Sequence, residues 1–204
     1  GLIPQSRVLR AFYRACRSAD IPSWHGVSRR ADDGATSMDL LSDEFSPTVT
    51  DPLDAVEQAV IGEQYPYDRD ENGEIHLTAS GEWRDHQIWF AWRPELEALH
   101  ICGSLDLKAP ANRFGDVCQL VVRLNEKLWM GHFDIWAEDG SIVYRHALSL
   151  PNGEAVSPSQ AAAMISAARE AGERFYPAFH FLVWGGKGVE EAAAAAMFET
   201  AGEA

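Results

Sequence analysis

The chain has 204 residues, 46% of them hydrophobic, and a formal charge of −14. That is enough apolar material for one well-cored domain with or without a tail, and no apolar run reaches the ~18 residues that a membrane span requires. The acidic balance repels phosphate, which argues against nucleic acid and anionic membrane as partners.

The charge is uneven. Residues 1–37 carry six Arg and three Asp, whereas residues 38–204 carry 11 basic and 28 acidic side chains. Residues 1–50 read as a disordered or weakly structured extension, with Ser28-Arg29-Arg30-Ala31-Asp32-Asp33-Gly34 its least patterned stretch. Its Arg-rich start imitates a targeting peptide but lacks the continuous apolar stretch of a secretory signal. Met38 stands just before the patterned region and is the expected native start. Cys16, Cys102 and Cys118 have neither metal-site nor redox spacing. They read as free thiols in a reducing compartment, and the expected location is the cytoplasm.

A single domain is expected over 51–204. Asp51 is suited to cap a helix and Pro52 to occupy its first position, where a missing N–H costs nothing. Leu53, Val56, Ala59 and Val60 then share one face, which predicts a helix over 52–64. Tyr65-Pro66-Tyr67-Asp68-Arg69 is expected to be extended. Asn72-Gly73 signals a hairpin turn, followed by a strand in which Ile75, Leu77 and Ala79 alternate with polar residues. A second hairpin pairs Arg93 with Ala98, so that Phe90 and Trp92 oppose Ile101 and Leu99 on the core face. The same register sets Trp89 opposite Cys102 and Ala91 opposite His100 on the other face.

After Pro110, Phe114, Val117, Cys118, Val121, Leu124 and Leu128 recur at helical spacing, with Gly131 as the expected C-cap. Asp139-Gly140 predicts a two-residue turn that sets Trp136 opposite Val143 and Asp134 opposite Arg145. It also puts His146 on the apolar face, as a core or rim histidine. Ser157-Pro158-Ser159-Gln160 is a capping box. The helix it starts should bend at Pro177 and run to Gly185-Gly186, and a final alanine-rich helix follows. The sum is α+β: a mainly antiparallel sheet of about six strands in the order α-β-β-β-β-α-β-β-α-α, with the helices on one face.

No motif here dictates a reaction. Gly185-Gly186-Lys187-Gly188 lacks the Ser or Thr and the preceding strand of a phosphate loop, and there is no G-x-S-x-G elbow. His132 and Asp134 share a strand face, and with His100 they form the most plausible metal or small-ligand set. Asp134, however, already has Arg145 as a partner. The aromatic residues are the stronger signal. Trp89 and Trp136 fall on the sheet face away from the main core, and Trp83 lies between two strands nearby. Large apolar area placed there gains from burial, either in a second layer or against a partner.

Four segments together resemble the YbjN family, described as bacterial sensory transduction regulators. They are Asp51-Pro52-Leu53-Asp54-Ala55-Val56-Glu57, Trp89-Phe90-Ala91-Trp92-Arg93, the run Leu124-Asn125-Glu126-Lys127-Leu128-Trp129-Met130-Gly131-His132-Phe133-Asp134, and Arg174-Phe175-Tyr176-Pro177-Ala178-Phe179 with Trp184-Gly185-Gly186-Lys187 beyond it. The resemblance implies a fold similar to type III secretion chaperones, commonly dimeric, with no catalytic residues and no cofactor. The expected function is that of a non-enzymatic, cytoplasmic protein-binding or regulatory module, as a homodimer, contacting its partner through Trp83, Trp89 and Trp136. The alternative is a metal- or small-ligand-binding protein or enzyme using His132, Asp134 and His100.

Overall fold

The structure is a computed structural model and describes residues 51–198. The expected N-terminal extension and the Met38 start lie outside the described residues. The elements are α1 (Pro52–Gly62), β1 (Tyr67–Arg69), β2 (Ile75–Ala79), β3 (His86–Arg93), β4 (Ala98–Lys108), α2 (Phe114–Asn125), β5 (His132–Ile135), β6 (Ser141–Ser149), α3 (Pro158–Val183) and α4 (Val189–Phe198). The six strands form one sheet in the order β1-β2-β3-β4-β6-β5, antiparallel throughout. This is the expected α+β architecture. No helix among the described residues is long and apolar enough to cross a membrane.

Local chemistry accounts for most element ends. Asp51 accepts a hydrogen bond from the Leu53 amide at 3.0 Å, with Pro52 behind it. Helix α1 stops at Gly62, two residues short of the expected end, because Gln64 turns left-handed (φ 60°) and the Tyr65 amide reaches back to the Val60 carbonyl. Ser157 and Gln160 form the full capping box of α3. Helix α2 ends at Asn125, well before Gly131. The Asn125 side chain is drawn instead to the backbone of β5, and Gly131 (φ 68°) closes a separate turn further on.

One sheet face carries the core. Ile75, Leu77, Ile88, Phe90, Leu99, Ile101, Phe133, Ile142 and Tyr144 join Val56 and Val60 of α1 and Met164, Phe175 and Phe179 of α3 in one apolar cluster. Phe133 sits edge-on to Tyr144, Phe175 and Phe179. The β3–β4 register agrees pair by pair with expectation.

The β5–β6 register needs correction. The turn is a four-residue loop, 137–140, closed by hydrogen bonds between Trp136 and Ser141 and from the Gly140 amide to the Trp136 carbonyl. The pairing is therefore displaced by two residues. Asp134 lies opposite Val143 rather than Arg145, and Ile135 opposite Ile142. A shift of two keeps every side chain on its expected face, and Arg145 still reaches Asp134 diagonally at 2.8 Å. The longer loop is stabilised by Asp139, which accepts from the Ser141 amide and hydroxyl and from Lys108.

Candidate protein-binding surface

The edge strand β5 and its two flanking turns hold the most distinctive surface chemistry. On the entering side, Trp129 is fully exposed and Met130 half-exposed. The turn that presents them is locked. The Tyr144 hydroxyl donates to the Met130 carbonyl at 3.0 Å, and burial raises that phenol to about 12, so it keeps its proton. Gly131 is left-handed there, and a Cβ on it would lie 2.3 Å from the Tyr144 oxygen. An indole held in water by a built turn is pre-organised for contact.

On the leaving side, Trp136 is half-buried and meets Trp89 edge-on, ring centroids 6.4 Å apart. Trp89 itself is only 8% exposed, although it lies on the sheet face opposite the core cluster. Of the three expected contact residues, then, Trp89 and Trp136 come together. Trp83 is half-exposed in the β2–β3 connection.

The outward backbone of β5 is already engaged. Asn125 accepts from the Phe133 amide at 2.7 Å and donates to the Phe133 carbonyl at 3.0 Å. Asp134 accepts from the Ile135 amide at 2.8 Å. Such an edge does not invite strand addition, so a partner would meet side chains rather than backbone.

The expected His132, Asp134 and His100 set does not converge. The group of potential metal ligands that meets within 4.8 Å among the described residues is Asp70, Glu74 and His76. Asp134 is committed to Arg145 and to the Ile135 amide. His100 lies on β4, with β6 between it and β5. Burial, then the Arg145 and Arg93 guanidinium groups, hold its imidazole below the usual value. His146 is a half-buried rim residue, lowered by burial and by His132. Cys102 is buried, which dulls a thiol. Cys118 is half-buried beside the inward stripe of Val117, Leu120 and Leu124 rather than on it.

Sequence reading missed Trp129 and Trp184, the latter 73% exposed just past the end of α3. Both precede a glycine within two residues and sit where a helical pattern gives out, which was the available signal. It also missed that Phe114 is exposed rather than on the inward stripe of α2.

The model of the YbjN family, described as "Putative bacterial sensory transduction regulator", matches residues 52–181. A solved structure described as YbjN, a putative transcription regulator from E. coli, is similar at 12% identity and a TM-score of 0.45, covering 61% of this chain and 86% of that one. No curated protein matches the sequence. The matched span, 130 of the 204 residues, and the four family-like segments place this chain in the YbjN family.

Proposed function

We infer that the chain is a non-enzymatic regulatory module that acts by binding a protein, with residues 51–204 as the binding domain and the cytoplasm as its location. Membership of a family described as sensory transduction regulators supports the regulatory part. The observation that carries the binding part is the fully exposed Trp129 in a turn fixed by Gly131 and Tyr144. Tryptophan is enriched among residues that dominate interface energy, because a rigid ring removes much apolar area from water at small entropic cost. Met130 adds an adaptable apolar neighbour. Trp136, at the other end of β5, is the outer member of the pair whose inner member is Trp89, and Trp83 is a separate contact point.

The reading predicts that wild-type protein, used as bait in an extract of its own cells, retains a protein that Trp129→Ala releases. Retention of the same proteins by both would overturn it. Trp89→Ala is a poor probe, since truncating a buried indole leaves a cavity and costs about 3–5 kcal/mol of stability. A homodimer is the expected assembly, and sedimentation velocity checks it. A monomer at all concentrations would remove that part of the reading.

A further inference from the structure

Helix α3 carries an outward pattern that the Trp129 contact does not use. Ala163, Ala167, Glu170, Arg174, Phe181 and Trp184 follow one another at alternating steps of four and three, with Pro177 filling the step between Arg174 and Phe181. That spacing puts them on one stripe of a helix, as in a helix that pairs with another. Pro177 is buried, but Ala163, Glu170, Phe181 and Trp184 are exposed and Ala167 and Arg174 half-buried. The stripe is small and apolar at its start, charged in its middle, and large and apolar at its close.

The charged middle is unsatisfied within the chain. Among the described residues, every Lys and Arg except Arg169 and Arg174 makes an ion pair. The Nε of Arg174 is buried with no hydrogen-bond partner among them. Its guanidinium lies over the Phe175 ring, 5.0 Å from the centroid, which limits where the group can point. Glu170 stands four residues earlier, in the order that favours an intrahelical pair. It accepts instead from the Ser166 hydroxyl at 3.3 Å. An exposed carboxylate and an unpaired guanidinium one turn apart are complementary to the same face turned end for end. A two-fold axis level with Gly172 sets Glu170 of each copy opposite Arg174 of the other, because a two-fold contact makes every pair twice. The same axis sets Ala163 of each copy opposite Phe181 of the other, so that a large ring meets a small side chain in both halves.

We propose that α3 packs antiparallel against α3 of a second copy through this stripe, with Glu170 and Arg174 exchanging ion pairs across the two-fold axis. This presupposes the homodimer reading and gives the dimer its surface. Trp129 lies outside the stripe and stays available to a different protein.

The test is sedimentation velocity over a concentration range on full-length wild type, Glu170→Arg, Arg174→Glu and the double variant, with circular dichroism to check the fold of each. Each single reversal sets like charges against each other twice and should weaken the dimer about tenfold or more. The double variant restores opposite charges and should return to within about threefold of wild type. Glu170→Arg changes an exposed position, so it stays informative if Arg174→Glu folds poorly. A wild type that is monomeric at all concentrations would remove the homodimer reading and this face with it. A wild-type dimer that a folded Glu170→Arg leaves unchanged, or single losses that the double variant does not restore, would overturn this face alone and leave the homodimer standing.

Discussion

Asn125→Ala removes a side chain that works as a substitute strand. Asn125 both accepts from the Phe133 amide and donates to the Phe133 carbonyl, at 2.7 and 3.0 Å, at the outer edge of the sheet. Each net hydrogen bond contributes about 0.5–1.5 kcal/mol, and a part-buried group left without its partner adds to the loss. Loss of both bonds should cost about 2 kcal/mol. At about 2–4 °C per kcal/mol for a domain near this size, the melting temperature should fall by about 4–8 °C. Phe133 is the hub of three aromatic contacts, so the loosened strand also disturbs the core. The freed edge should increase self-association. Urea unfolding gives the energy, and size-exclusion chromatography over a concentration range gives the association. Asn125→Asp separates the two bonds, since it keeps the acceptor for the Phe133 amide but sets a carboxylate against the carbonyl. It should be no more stable than Asn125→Ala. A loss below about 0.5 kcal/mol for Asn125→Ala, the range of ordinary surface substitutions, would refute the role assigned to this residue.

Other expectations follow from single contacts. Gly172→Ala raises helix propensity by about 1 kcal/mol, but its Cβ would lie 2.7 Å from the ring of His86, which is buried and bonded to Glu173. The clash should dominate and destabilise by about 1–3 kcal/mol in urea unfolding, and a gain in stability would show that His86 can move. Arg69 binds Asp51, Asp54 and Glu57 at 2.6–3.2 Å and ties β1 to α1. Arg69→Ala should cost about 1 kcal/mol at low salt and less at high salt, and equal losses at both would contradict an electrostatic tie. His100 is held below its ordinary value by burial and by two arginines, so the unfolded chain binds its proton more readily than the folded one. Stability from this group is therefore complete above the unfolded value near 6.5 and declines as pH falls below it. His100→Gln should lose less stability than wild type between pH 7.5 and 5.5, and parallel curves would contradict this.

Much of the fold was legible because its signals are local. Asp51-Pro52 and Ser157-Pro158 are helix starts that depend on a few neighbouring atoms, and the 98–108 strand carries its core pattern in its own alternation. The errors came where a distant group outweighed a local one. Asn125 ends α2 early because β5 offers two backbone partners, a fact absent from the helical spacing. Asp139-Gly140 is a good two-residue turn by composition, yet Asp139 gains Ser141 and Lys108 as partners in a four-residue loop. The site was less legible for the same reason. Hairpin pairing placed Trp89 beside Cys102 but could not show that Trp136 would cover it, nor that Tyr144 would hold Trp129 out in water.

The most direct test of the binding account is a calorimetric titration of the captured partner into wild type and Trp129→Ala, each shown to be folded. The account predicts that Trp129→Ala weakens binding by about 30-fold or more, equivalent to the roughly 2 kcal/mol of an interface hot spot. Affinities within about twofold of each other would contradict it.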